Sequence, residues 1–252
     1  MCGRGITHRP GYYELEAFIA PNYPIFSFLP FLELEGLYFD DDTYGANIGL
    51  GGRYLPNKFP PLVGFNVFGD YYQTTRGPLF QLSMGFEMIA KRWELSANGY
   101  IPLGKKEQIC KTVFDHYIGD YKVSCRVGQS SYPGFNLDMK LLAVQRRNFF
   151  LYVWGGPYFF ASIQSCTPSF WGGRFGIQPM YLDFINMSFS VSYDPVYDIL
   201  FQGVLMLTAP LYSSKLKGYR DSNKWIRRQI YQPVHKLDYM TLDKNCRWHA
   251  NF

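Results

Sequence analysis

The side chains of this sequence that could bind a metal or activate a nucleophile are few and scattered. Its four histidines stand far apart along the chain, at His8, His116, His235 and His249. None of them has a second ligand at the spacing of a metal site, so we expect them on the surface or in loops. No GxSxG element occurs, and no pair of carboxylates stands out for acid–base catalysis. The residue types therefore favour a protein without an active site, a metal or a cofactor.

The cysteines also lack the spacing of a zinc site. No CxxC motif occurs among the five, which are Cys2, Cys110, Cys125, Cys166 and Cys246. Cys110 and Cys125 share one long polar segment, which permits a disulfide in an oxidising compartment. Free thiols fit the same sequence equally well, and both alternatives stay open.

Two short motifs resemble ligand sites. Asp40–Asp42 is an acidic run that could bind a cation, but runs of this kind are typical of solvated turns. Gly49, Gly51 and Gly52 resemble a phosphate-binding loop, yet neither the Lys-Ser/Thr pair nor a helix signal follows them. Glycines at which strands cross the interior of a barrel are the simpler explanation.

Polar residues inside otherwise apolar strands form the largest candidate set. They are Arg53, Asn66, Asp70, Glu87, Glu94, Asn98, Asp138 and Arg174. On a soluble sandwich or barrel these side chains would face water. In a membrane barrel they would face the lumen and pair there, while the other face would be free of charge, because Arg or Lys at mid-depth in lipid costs ~2–4 kcal/mol. The second interpretation also explains why the alternate positions are aromatic and uncharged.

The elements that carry these residues are β-strands. Apolar and polar residues alternate in Phe80–Met88 and in Trp93–Ile101, with Ala90–Arg92 as the turn between them. The same pattern predicts further strands, which are Phe31–Phe39, Ala46–Tyr54, Leu62–Tyr72, Phe135–Ala143, Phe149–Tyr158, Gly173–Gln178, Ile185–Tyr193 and Ile199–Leu207. Most of them are nine to eleven residues long, which suits a tilted strand that crosses a bilayer.

The connections between the strands fall into two groups. The two longest, Pro102–Gly134 and the loop around Cys166, lie on one side, whereas Ala90–Arg92 and Gln145–Arg147 lie on the other. Outer-membrane barrels show this asymmetry of long loops and short turns. Pro102–Gly134 is too long for a structureless loop. We therefore expect an extra hairpin that includes Tyr121–Val127 and brings the count to about twelve strands.

A helical membrane span is the rival interpretation for Phe149–Gly173, which contains no charged residue. This segment holds Gly155-Gly-Pro157, Pro168 and Gly172-Gly173. Breakers at this density predict two strands and a loop instead.

Composition agrees with an all-β, antiparallel transmembrane barrel. Aromatic residues make up 19% of the 252 residues, which favours strands. The net charge of +5 belongs to a tail: residues 213–252 hold nine Lys/Arg and three Asp, which leaves 16 Lys/Arg against 17 Asp/Glu before them. The body therefore offers no basic groove, and no nucleic acid is expected as a partner. We divide the chain into an N-terminal segment (1–30), a barrel (31–212) and a basic tail (213–252).

The basic tail is expected in or near the lumen, where its cations can pair with interior acids such as Asp70, Glu87 and Glu94. The residues available for these contacts are Lys215, Lys217, Arg220, Lys224, Arg227 and Arg228. A solvated tail is the alternative for such a charge run, and the sequence fits it equally well.

Several motifs share the pattern of one known family. They are Asn47–Arg53, Gly64–Tyr72 (GFNVFGDYY), Gln81–Glu87 (QLSMGFE), Trp93–Gly104, Gly134–Asp138, Gly155–Tyr158, Trp171–Arg174 and Tyr231–His235. The stretch Ala97-Asn-Gly-Tyr100 is the most specific. Together they resemble the translocator β-domain of the intimin/invasin family, the inverse autotransporters, over about Phe31 to Tyr239.

The resemblance implies a twelve-stranded barrel in the outer membrane of a Gram-negative-type bacterium, with a linker through its lumen and a surface passenger after it. Here we expect no passenger, since only about forty residues follow the last strand, and neither a signal peptide nor a peptidoglycan-binding region is recognised. The expected partners are outer-membrane lipid and the barrel-assembly machinery.

Other functions remain as alternatives. A porin-like channel, or an adhesin that contacts a host-cell surface through the outer loops, uses the same barrel. A barrel enzyme acting on lipid would need a Ser/His or paired-acid site at one rim, and none is visible. A soluble ligand-binding barrel is the last alternative.

Overall fold

The computed structural model describes residues 12–21, 27–55, 61–74, 77–104, 108–118, 121–162, 168–181, 184–209, 230–236 and 242–251. Over 108–118, 121–130 and 242–251 the description is of the backbone. Apart from the turns and the segment 230–236, these residues form strands, in agreement with the predicted all-β class. The strands are β1 (Tyr12–Ile19), β2 (Phe28–Phe39), β3 (Tyr44–Tyr54), β4 (Leu62–Thr74), β5 (Gly77–Ile89), β6 (Trp93–Leu103), β7 (Gln108–Ile118), β8 (Tyr121–Ser131), β9 (Gly134–Arg146), β10 (Phe149–Phe160), β11 (Phe170–Tyr181), β12 (Ile185–Asp194), β13 (Asp198–Leu207) and β14 (Leu242–Asn251).

One antiparallel sheet of eleven strands contains most of the chain, in the order β1-β2-β3-β4-β5-β6-β9-β10-β11-β12-β13. The antiparallel barrel-like architecture is thus confirmed. Tyr12 on β1 and Gln202 on β13 approach each other, with 3.5 Å between the Tyr12 hydroxyl and Gln202 Nε2, so the sheet is rolled until its first and last strands are close. Among the described residues these two edge strands exchange no backbone pairs.

The strand count differs from the predicted twelve in an informative way. The extra hairpin between Pro102 and Gly134 exists as β7 and β8, but it belongs to a second sheet of order β14-β8-β7. The main sheet gains instead β1, which lies before the boundary that we set at residue 31. An odd number of antiparallel strands leaves β1 and β13 pointing the same way, which explains why they do not continue the antiparallel ladder.

The sheet has two unlike ends. At the loop end lie the connection from β6 to β9, which contains the β7–β8 hairpin, and the connection from β10 to β11 over 161–169. At the turn end lie short links such as 90–92 and 147–148. The two longest connections therefore share one end, as the sequence predicted.

The two faces of the sheet also differ. In β5, Phe80, Met84 and Phe86 are exposed, whereas Gln81, Ser83 and Glu87 are buried. This is the reverse of a soluble sheet, whose apolar side chains are buried, and it holds around the sheet. Across the described residues no helix is both long and apolar enough to span a membrane. Within Phe149–Gly173 the described residues form β10 and the start of β11, in agreement with the two-strand interpretation.

Candidate functional site: the charged interior

The interior of the rolled sheet is layered from one end to the other. At the turn end an apolar cluster combines Leu29, Leu55, Leu62 and Ile89 with Ile230 of the tail. At the loop end aromatic side chains fill the interior, namely Tyr100, Tyr132, Tyr158, Phe160 and Phe170. Polar and charged residues occupy the space between these clusters. This middle layer is the candidate site.

The eight polar strand residues predicted for the lumen all lie on this interior face. Seven are buried, namely Arg53, Asn66, Asp70, Glu87, Glu94, Asn98 and Asp138. Arg174 is half-buried, with 12% of its side chain exposed. Alternation places most of them there, because their neighbours in the strand face outward.

Arg53 and Glu87 form the most enclosed ion pair. The Nε and Nη2 atoms of Arg53 donate to the two carboxylate oxygens of Glu87 at 2.5 and 3.2 Å. The guanidinium also lies 5.5 Å from the ring centre of Phe18 and 5.1 Å from that of Phe31. Burying an ion without compensation would cost several kcal/mol. The two hydrogen bonds to Glu87 and the two aromatic rings compensate for the burial of the Arg53 charge.

Two further ion pairs join β6, β9 and β11. Arg174 binds Asp138 through both Nε and Nη2, with 2.8 Å between Nε and Oδ1. Lys140 Nζ lies 3.0 Å from Glu94 Oε2. The Lys140–Glu94 pair joins two neighbouring strands, whereas the Arg174–Asp138 pair reaches across β10.

The tail segment 230–236 runs through this layer. Ile230 lies at the turn end, and the Val234 amide donates to Glu33 Oε2 at 3.0 Å, further along β2. Lys236 Nζ is 2.9 Å from Glu35 Oε2 and 3.8 Å from Asp70 Oδ1. From the level of Leu29 to that of Glu35 is about 20 Å of strand, so seven tail residues cross the charged layer from the turn end toward the loop end.

The tail residues predicted to contact the lumen lie outside the described residues. They are Lys215, Lys217, Arg220, Lys224, Arg227 and Arg228. The described contacts instead use Lys236 with Glu35 and Asp70, and the Val234 amide with Glu33. Of these residues only Asp70 belongs to the set predicted from the sequence. The sequence does contain a signal for Glu33 and Glu35, because both acids occupy interior positions of a predicted strand in Phe31-Leu-Glu-Leu-Glu35.

Histidine 235 lies in a segment without regular secondary structure, as expected of a loop histidine. That segment runs through the interior, however, and the His235 ring lies 5.5 Å from that of Trp154. Asn98 Nδ2 donates to its carbonyl oxygen at 3.1 Å. Of the others, His8 lies outside the described residues and His116 and His249 are described by backbone only. Among the described residues, no three or more His, Cys, Asp or Glu lie together as a metal site would require.

The two ligand-like motifs have structural roles here. In the Asp40–Asp42 turn, Thr43 Oγ1 donates to Asp41 at 2.5 Å and the Tyr38 hydroxyl donates to Asp42 at 2.8 Å. In β3 a methyl group at Gly49 would overlap the ring of Phe68, and one at Gly51 would overlap that of Phe31. These glycines make room for interior aromatic rings.

Gly64 on β4 makes comparable room for Glu87, because a methyl group there would collide with the Glu87 carboxylate. We expect Gly64→Ala to displace Glu87 from Arg53 and to lower the free energy of unfolding by about 1–3 kcal/mol. Gly99→Ala is the matched control, since nothing lies within 4 Å of a methyl group at Gly99. Urea titration of both variants in lipid vesicles measures the difference, and equal stabilities would contradict the close packing around Glu87.

Comparisons with known proteins agree with this geometry. Residues 28–142 match a family model described as the inverse autotransporter β-domain. A solved structure from work on the mechanism of in-meso crystallization of membrane proteins aligns with 93% of this chain and 98% of its own, at a TM-score of 0.62 and 16% identity. Identity at that level shows a shared fold alone. No curated protein matches the sequence.

Proposed function

From the match of residues 28–142 to the inverse autotransporter β-domain family, we propose that the chain is an integral outer-membrane barrel of the translocator type whose own C-terminal segment occupies the lumen. The family implies an outer-membrane location in Gram-negative bacteria. The observation that carries the proposal is the passage of residues 230–236 through a charged interior, inside a sheet whose other face is apolar. The family is one of translocators, and we propose no catalytic activity.

The outer face supports insertion in lipid. Its exposed side chains include Ile48, Leu50 and Val67, in the middle of β3 and β4. At the loop end two groups of outward aromatic rings are in contact: Tyr71 with Tyr44 and Phe80, and Trp171 with Phe135 and Phe159. Aromatic girdles of this kind mark the interface of a membrane barrel.

The path of the tail supports a translocator-type arrangement. Strand β13 ends at the turn end, and the tail meets the interior at that same end with Ile230. Beyond Lys236 the chain next pairs as β14 with β8, from Leu242 opposite Ser131 to Asn251 opposite Lys122. Since β8 belongs to the hairpin at the loop end, the described pieces of the tail lie in order from one end of the barrel to the other.

Removal of the tail tests whether it closes the lumen. We expect the full chain to be closed in planar lipid bilayers and a deletion of residues 213–252 to conduct ions, because the segment that fills the charged layer is then absent. Deletion of residues 237–252 is the matched control, since it keeps 230–236 and should stay closed. Equal conductance of all three proteins would contradict the plug, and an open full chain would favour a porin-like channel.

A further inference from the structure

Three acids lie close together on the interior side of the neighbouring strands β2, β3 and β4. Glu35 on β2 pairs with Asn47 on β3, and Asn47 pairs with Asp70 on β4, so these residues stand side by side across the sheet. Glu33 lies two residues before Glu35 and therefore on the same face of β2. All three acids are buried. This part of the interior therefore favours a positively charged ligand.

An aromatic ring borders the same space. Phe68 pairs with Gly49, which in turn pairs with Glu33, and the absence of a side chain at Gly49 leaves room for the Phe68 ring. The face of an aromatic ring attracts a cation, and more strongly when the cation is shielded from water. We call this set of residues the acid pocket; it consists of Glu33, Glu35, Asp70 and Phe68.

The ammonium group of Lys236 occupies the acid pocket. Its Nζ atom lies 2.9 Å from Glu35 Oε2, 3.8 Å from Asp70 Oδ1 and 4.7 Å from the centre of the Phe68 ring. Asn47 Nδ2 donates to the same oxygen of Glu35 at 2.5 Å and so fixes that carboxylate. The Lys236 side chain is only 3% exposed. The ligand present in the structure is thus a primary ammonium at the end of an unbranched alkyl chain.

The acid pocket also has acceptor atoms to spare. Glu33 Oε2 accepts the Val234 amide, and Asp70 Oδ2 accepts the Ser83 hydroxyl. The second oxygen of each acid, Glu33 Oε1 and Asp70 Oδ1, is buried and has no hydrogen-bond donor among the described residues. Buried acceptors of this kind carry a desolvation penalty that a further N–H donor relieves. Three carboxyl groups therefore surround a single ammonium, and the pocket is built for cations rather than for this one lysine.

From this geometry we infer that the acid pocket is a binding site for aliphatic primary amines, and that Lys236 is the ligand which the chain itself supplies. The inference goes beyond the proposed translocator function, because it concerns recognition of an ammonium group and not the path of a polypeptide. A primary ammonium combines a compact charge with three N–H donors. That combination matches carboxylate oxygens that converge on one point beside a ring face.

Truncation of Lys236 in the full-length chain allows a free amine to replace the lost side chain. Lys236→Ala removes atoms that correspond to propylamine, so propylammonium is the probe, and calorimetric titration in detergent micelles is the measurement. We expect a dissociation constant on the order of 1 mM, since so small a ligand makes few contacts. The neutral 1-propanol should bind at least about tenfold more weakly, because it offers no charge to the acids. The wild-type protein, in which Lys236 fills the pocket, should bind neither.

Two further variants test whether the acids recognise the amine. Glu35→Gln with Asp70→Asn, added to Lys236→Ala, keeps the shape of both side chains and removes their charge. Binding of propylammonium should then weaken by about tenfold or more. Lys140→Ala is the matched control, because it truncates another buried lysine of the interior, beside Glu94. It should bind propylammonium about tenfold more weakly than Lys236→Ala does, since fewer acids surround it.

Heat-modifiable migration in gels shows whether each protein is folded. If Lys236→Ala does not fold, its refolding yield is the readout, and propylammonium should raise that yield while 1-propanol should not. Equal effects of the two compounds, equal binding with and without the two acids, or no effect of propylammonium would each overturn the inference. None of these measurements depends on conductance, so failure of the amine site and failure of the proposed plug are distinguishable.

Discussion

Arginine in place of Ile48 is expected to destabilise the assembled barrel by ~2–4 kcal/mol, whereas arginine in place of Tyr44 is expected to cost only ~0–1 kcal/mol. Both residues are exposed on the outer face of β3, at 59% and 49%. They differ in depth, since Tyr44 begins the strand at the loop end and Ile48 lies about 13 Å further along it. Lipid penalises a charge at mid-depth far more than one at the interface, so position along a single strand separates the two variants.

The measurement is urea unfolding in lipid vesicles, with the heat-modifiable band in outer-membrane fractions as the cellular readout. Ile48→Leu is the control for side-chain shape without charge and should behave as the wild type. A soluble barrel gives a different result, because both sites would then face water and surface substitutions usually stay within about 0.5 kcal/mol. Equal and small effects of the two arginines would therefore contradict a membrane location.

The sequence predicts the outer face of this molecule well because a strand buries or exposes every second residue. That period assigned residues such as Asp70 and Asp138 to the interior without any knowledge of their partners. It could not decide in which sheet a strand pairs. Strands β7 and β8 form the expected hairpin but pair with β14, more than 100 residues later, and no local pattern encodes such a pairing.

The sequence was also unable to identify which charged residues form contacts in the interior. The excess of Lys and Arg in the tail predicted contacts with lumen acids, but not the residues that make them. Lys236 reaches Glu35 because the segment from Ile230 is aligned along β2, which depends on an apolar cluster formed by four different strand ends. Residue type alone gives no such alignment, and this is why Lys236, Glu33 and His235 escaped the sequence-based set.

Loss of Arg53 alone is expected to be among the most damaging substitutions in the chain. Arg53→Met leaves the Glu87 carboxylate buried without its partner, and breaking a buried pair in this way costs about 3–5 kcal/mol. The double variant Arg53→Met with Glu87→Met should recover much of that loss, since no charge then stays behind. Lys91→Met removes a cation from an exposed turn and serves as the control, with an expected change within about 0.5 kcal/mol.

Urea unfolding of the four proteins in lipid vesicles decides between a packed interior and a wet one. If water filled the lumen, it would screen Glu87, and Arg53→Met would behave like Lys91→Met. A stable double variant would carry a further consequence, because it would show that the ion pair is not needed to hold the barrel together. If that variant then conducted ions while the wild type stayed closed, the role of Arg53 would lie in its two hydrogen bonds to the tail carbonyls of Ile230 and Gln232. Glu87 would then act by orienting the Arg53 guanidinium.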